Sequence, residues 1–188
     1  MGDQPEAWPV VESQDIWRGA APFAVRRDTL TSPEGSAPFS RVVVEHPGAS
    51  IVLALDEDDR VLVVEQYRHV TGRRLVELPA GLLDVPGEDP LVCAQRELLE
   101  EAGYAAREWS HLLSVFSSPG LIGEIQHIYV ARDLTEVPDR GGFELEHEEA
   151  AMTVSWVPFD DLLQACWEGR VQDSPLVLAV MAYALRHR

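Results

Sequence analysis

The clearest patterning in the chain is a helical stripe between two punctuation marks. Asp89 followed by Pro90 has the chemistry of a helix N-cap and first helical residue, and Gly103 that of a stop. Leu91, Ala94, Leu98 and Ala102 recur between them at helical spacing, so a helix over Pro90 to Ala102 with those four positions buried is expected. Upstream, Phe23 to Val25 and Arg41 to Glu45 are short strand-like runs separated by turns such as Ser32-Pro33-Glu34-Gly35. Ser50 to Leu55 and Val61 to Tyr67 flank the turn Asp56 to Arg60, and their apolar, β-branched composition predicts a buried β-hairpin. Leu75 to Pro79 adds a strand leading into Gly81. Beyond the helix, Trp109 to Phe116 and Ile125 to Ala131 read as strands on either side of Ser117-Ser118-Pro119-Gly120, and Leu134 to Glu149 as an exposed loop. Met152 to Val157 returns to strand, Pro158 opens a helix to about Glu168 that Gly169 ends, and Pro175 to Arg188 is a final helix. Strands, a helix, more strands and two helices make an α+β order rather than a regular parallel array.

With 188 residues, 46% of them apolar, the chain suits one main domain with a sizeable core. That domain is expected over residues 49–188. Residues 1–48 are too few for a stable domain of their own and form an N-terminal strand segment, which adds to the main fold or reaches a second subunit. A formal charge of −17 argues against a general nucleic-acid or anionic-membrane surface. The two cysteines, Cys93 and Cys166, suggest neither a disulfide framework nor a zinc spacing, and the six histidines make no zinc spacing either. No apolar run approaches membrane-spanning length and the N-terminus lacks a basic and apolar leader, so a cytoplasmic protein without membrane or nucleic-acid partners is expected. Serine-hydrolase elbows, P-loops and dinucleotide fingerprints are missing from the sequence.

The expected helix carries unusual chemistry. Glu97, Glu100 and Glu101 occupy neighbouring positions of one face, where like charges repel by roughly 0.2 to 0.5 kcal/mol per pair, more where water is excluded. A cation relieves this, and Mg²⁺, which takes oxygen ligands and bridges phosphates, suits the face. The competing reading is a solvated acidic face paired to Arg96.

Gly81, Glu88 and the run Arg96-Glu97-Leu98-Leu99-Glu100-Glu101-Ala102-Gly103-Tyr104 together resemble the signature of the Nudix hydrolases. Two departures stand out: six rather than five residues separate Gly81 from Glu88, within a Pro86-Gly87 turn, and Tyr104 replaces an aliphatic residue. The resemblance implies an α/β/α sandwich with mixed sheets. It also implies a Mg²⁺-dependent hydrolase, with Mn²⁺ a possible substitute, in which the Ala80 carbonyl, Glu97, Glu100 and Glu101 hold metal while Arg96 and Glu88 form a structural pair. Gln66 to His69 and Glu77 to Gly81 look like the segment preceding the motif in ADP-ribose pyrophosphatases. That likeness implies Arg68 and Glu77 at the substrate, with Pro119 a further mark of this group, and cleavage of ADP-ribose into AMP and ribose 5-phosphate. The catalytic base is implied to lie among Glu146, Glu148 and Glu149; Glu149 is favoured, with Glu148 accessory. Members of this group commonly exchange N-terminal strands, which implies a homodimer with Arg41 reaching a phosphate and Trp17 or Phe23 stacking on adenine. Another nucleoside diphosphate sugar as substrate, or a non-catalytic nucleotide-binding module, remain the alternatives.

Overall fold

The computed structural model describes residues 1–143 and 151–187. Among these the strands are β1 (Val10–Arg18), β2 (Ala24–Leu30), β3 (Phe39–Glu45), β4 (Ala49–Ala54), β5 (Arg60–Arg68), β6 (Arg73–Glu77), β7 (Ala80–Leu82), β8 (Tyr104–Phe116), β9 (Ile125–Glu136) and β10 (Thr153–Pro158). The α-helices are α1 (Pro90–Ala102), α2 (Phe159–Trp167) and α3 (Ser174–His187). The chain divides into two compact units, residues 1–48 with 116–125, and residues 49–115 with 126 onward.

In the larger unit, β4 explains the layering. All six of its residues are buried. Ile51 and Leu53, with Leu55 just beyond, enter one apolar cluster with Val61, Val63, Ile128 and the inward residues Phe159, Leu162, Leu176 and Val180 of α2 and α3. Val52 and Ala54, alternating with them, join a second cluster with Leu62 and with Ala94, Leu98 and Ala102 of α1. Side chains alternate across a strand, so helices cover both faces and the result is a three-layer α+β sandwich.

Two-sided burial also accounts for a correction. A strand covered on both faces reads as a continuous apolar run and sits inside a sheet, with neighbours on both edges. The expected hairpin between Ser50–Leu55 and Val61–Tyr67 does not form: β4 lies in the order β7-β4-β9-β8, parallel to β9, whereas β5 lies in the antiparallel order β10-β5-β6. A single bridge, Leu55 to Val61, links the two runs.

Helix α1 has the expected bounds. The Asp89 carboxylate accepts from the Leu91 N–H at 2.8 Å, and Gly103 closes the helix at φ +74°, a left-handed conformation natural to glycine. Ala94, Leu98 and Ala102 are buried as expected, but Leu91 is half-buried and Cys93 is buried beside Ala94. Within the stretch expected as a loop, β9 continues to Glu136 and Arg140–Gly142 form a 3₁₀ turn.

The smaller unit is an antiparallel sheet in the order β1-β2-β3. Its third strand is joined by the 116–125 segment, where the Val44 N–H donates to the Leu121 carbonyl at 2.9 Å and the Gly123 N–H to the Val44 carbonyl at 3.2 Å. Strand β1 escapes the sequence pattern because all nine of its residues are exposed, leaving no apolar face to alternate.

Candidate active site

Strand β7 and helix α1 build the site together. Glu97 and Glu101 point inward and are buried, an expensive position for two carboxylates unless something receives them. The Ala80 N–H donates to Glu101 Oε2 at 2.9 Å. Glu97 lies across Gly81 so closely that a Cβ there would stand 1.9 Å from Glu97 Oε1 and 2.0 Å from Cδ. Here glycine is required by close approach, whereas Gly103 is required by its positive φ.

Arg96 gathers the remaining acids. Its guanidinium donates to Glu88 twice, at 3.2 Å each, to Glu97 Oε1 at 2.6 Å and to Glu100 Oε2 at 3.0 Å. Those partners, Glu88 first, hold the guanidinium above its ordinary pKa against the opposing effect of burial. The expected Arg96–Glu88 pair is therefore present, and the arginine also restrains two glutamates. Glu88, Glu97 and Glu100 thus bond the Arg96 guanidinium, and Glu101 accepts from a backbone N–H. The side-chain donors are all carboxylate oxygens, which fits a hard divalent cation. Among the described residues no three acidic, histidine or cysteine side chains converge tightly enough to hold a metal as they stand. In this arrangement Glu97 and Glu100 both bond Arg96. The Cys93 thiol, 3.5 Å from the Leu82 carbonyl, is pushed up to about 11 by burial and by Glu97, so it is neither a thiolate nucleophile nor a ready metal ligand.

Arg68 and Glu77 meet in a fork, Nε to Oε1 at 2.8 Å and Nη2 to Oε2 at 2.6 Å, and Gln66 donates to the same carboxylate at 3.2 Å. Glu77 is buried, so it holds the guanidinium from below rather than standing open. Asp173, unremarked in the sequence, also acts on this pair: its Oδ2 accepts from the Leu176 N–H at 3.0 Å at the start of α3. Burial pushes its carboxyl up to about 6, the Leu176 N–H opposes this, Glu77 adds to it and Arg68 opposes it again.

The other expected residues belong to the smaller unit. Arg41 and Pro119 line one cavity of about 400 Å³, with Leu30, Val43 and Leu121 among its walls. The Arg41 guanidinium lies 4.7 Å over the Phe39 ring and donates to the Ser40 carbonyl at 3.0 Å. Trp17, on β1, is 52% exposed and is not part of that lining. Phe23 stacks at 5.1 Å on His46. Glu146, Glu148 and Glu149 lie outside the described residues. One residue that sequence reasoning missed is Arg140, which bonds the end of α1; a lone arginine in a polar stretch gives no signal of this.

A model of the Nudix domain matches residues 44–179, most of the chain, and the chain belongs to the Nudix family. It is a Nudix hydrolase by its relatives as well. It is 42% identical over 172 residues to an ADP-ribose pyrophosphatase of Mycobacterium tuberculosis, covering 92% of this chain and 81% of that protein. It is 35% identical over 182 residues to a methanol dehydrogenase activator of Bacillus methanolicus, covering 95% of each. The crystal structure of an ADP compounds hydrolase matches the fold with a TM-score of 0.77 at 20% identity, over 98% of this chain and 96% of that one. Nudix hydrolases generally act with a divalent metal. Among the described residues no helix is long and apolar enough to cross a membrane.

Proposed function

We propose that this protein hydrolyses the pyrophosphate of ADP-ribose to AMP and ribose 5-phosphate with Mg²⁺, Mn²⁺ being a substitute. The observation that carries the reading is the cluster of carboxylates on α1, set against β7 with Glu97 lying on Gly81. Glu97, Glu100, Glu101 and the Ala80 carbonyl are the groups that hold the cation. When bound, it neutralises diphosphate charge and acidifies a water at neutral pH. Arg96, bonded to Glu88, Glu97 and Glu100, would keep those carboxylates in register for the cation. Arg68, its orientation fixed by Glu77, offers a planar cation to a phosphate. Glu149, with Glu148 beside it, is the group proposed to take the proton from the attacking water.

The N-terminal segment is proposed to complete substrate binding within a homodimer. Support comes from its exposed apolar residues, Val10, Val11, Ile16, Trp17 and Val42, which a partner subunit would cover. Arg41 and Pro119 frame a cavity suited to part of a nucleotide, and Trp17 offers a ring for adenine.

The test is a turnover screen of nucleoside diphosphate derivatives with and without Mg²⁺, products identified. AMP and ribose 5-phosphate from ADP-ribose, at the highest kcat/KM of the set, is the expected result; preference for another nucleoside diphosphate sugar redirects the substrate, and no turnover removes the enzyme reading. Glu149→Gln should lower kcat by about 10²-fold or more at nearly constant KM. Deleting residues 1–40 should abolish both dimer and activity; a monomer with full activity overturns the shared site.

A further inference from the structure

Helix α1 ends against its own electrostatics. Its last turn carries Glu100 and Glu101 at the negative pole of the helix dipole, and no basic residue lies in that turn. The cation comes from the connection between β9 and β10, where Arg140 Nη1 donates to the Glu100 carbonyl at 3.1 Å and the Glu101 carbonyl at 2.9 Å. The same connection is fastened again nearby. The Val137 N–H donates to the Gly103 carbonyl at 2.7 Å, and the Arg140 N–H to the Val137 carbonyl at 3.0 Å. A Cβ on Gly103 would stand 3.4 Å from the Val137 carbonyl and 3.6 Å from Arg140 Cγ, so the turn rests directly on the helix stop. Arg140 itself sits at φ +49°, a left-handed conformation that arginine adopts only when its surroundings over-determine it. What determines it here is a pair of bonds to the backbone of two glutamates of the candidate metal face.

We infer that Arg140 is a positioning residue for that face: it locks the terminal turn of α1 so that Glu100 and Glu101 are held in place before a cation arrives. The inference rests on the metal reading proposed above. Its strength is that the two physical effects of removing Arg140 have opposite signs. Losing a nearby positive charge, taken alone, strengthens the attraction of the face for a dication. Loosening the turn weakens binding, because the ordering then has to occur when the metal binds.

The experiment is direct Mn²⁺ titration of the full chain, followed by electron paramagnetic resonance without substrate, beside metal-free thermal unfolding. Arg140→Gly removes the tether and the left-handed strain together, so its backbone suffers no new conflict; Arg140→Gln removes the charge. Both should weaken Mn²⁺ binding by about 10- to 100-fold, the range for groups that support metal ligands. Arg140→Lys, which keeps a cationic donor, should recover most of the loss. In turnover, kcat should fall with KM for substrate nearly unchanged. Mn²⁺ binding that is unchanged or tighter in both Arg140→Gly and Arg140→Gln overturns the role, whatever happens to Tm. Glu101→Gln separates this from the reading beneath it. Wild-type Mn²⁺ affinity in that variant removes the metal from α1 and Arg140's role with it; weakened binding there with normal binding in the Arg140 variants overturns Arg140 alone.

Discussion

Two acidic clusters in this protein use the same residue types to opposite ends. In the N-terminal sheet, Arg18 holds Asp15 at 2.7 Å and Glu45 at 2.8 Å, while Arg26 holds Glu45 and, at 3.0 Å, Asp28. Three carboxylates share two guanidiniums, and the Ser13 hydroxyl donates to Asp28 at 2.6 Å as well. Arg18 keeps Asp15 and Glu45 below the usual carboxylate range, and Ser13 followed by Arg26 does so for Asp28. At α1, three carboxylates, Glu88 just before the helix with Glu97 and Glu100 on it, share the Arg96 guanidinium. Matched charge is finished structure. Three acids on one guanidinium, with Glu97 and Glu101 buried, is the arrangement the proposed metal site needs, so it is the ratio of acids to each arginine, more than the number of acids, that sets the two clusters apart.

The comparison breaks most visibly at Glu101. Glu101→Gln should reduce turnover by more than about a hundredfold, exceeding what loss of a group behind a ligand costs, while metal-free Tm holds or rises because a repulsion is gone. Turnover within threefold of the parent protein at saturating Mg²⁺ would mean that the cluster is not functional. Gly81→Ala should cost about tenfold or more in kcat/KM with the fold retained by circular dichroism, since the new methyl displaces Glu97 and leaves the strand pairing alone. Normal kinetics in that variant would show that the contact with Glu97 is dispensable.

Asp173 sharpens the contrast, being an acid whose burial outweighs its neighbours. A raised folded-state pKa means the folded chain keeps a proton that the unfolded chain has released, so Asp173 lowers stability progressively from about pH 4 to about pH 6 and fully above that. Asp173→Asn preserves a capping side chain and should raise Tm by a few degrees near neutrality but not in acid; equal gains at both pH values would refute the sign. The smallest effect belongs to the matched cluster. Its depressed carboxylates contribute above their ordinary pKa values and lose that contribution as pH falls through and below about 4. Arg18→Ala should therefore leave turnover intact and shift Tm slightly at neutral pH, a shift that disappears in acid or high salt. A large loss of activity would place Arg18 at the substrate.

What could be read from the sequence follows the range of the forces involved. The bounds of α1 were legible because Asp89, Pro90 and Gly103 act within a few residues of themselves. Glu97 and Glu101 were legible because helix spacing alone sets them on one face. The partners of β4 and β5 were not, because pairing is decided by strands up to nearly a hundred residues away, Tyr129 beside Val52 and Trp156 beside Leu62. The fork between Arg68 and Glu77 was half legible: each residue drew notice, but their hydrogen bonds depend on the register of β5 against β6. Arg140 was invisible, since its meaning arises only when the turn folds back onto Gly103.

The bridge from Val44 to Ile122 bears on the order in which the protein can be made. The N-terminal sheet is translated before the segment that pairs with its third strand, which lies about 80 residues further on. At ordinary elongation rates that delay is on the order of ten seconds. A sheet that formed within that interval would present the outer edge of β3 without its partner. Closure of β3 therefore has to wait for a segment made well after it.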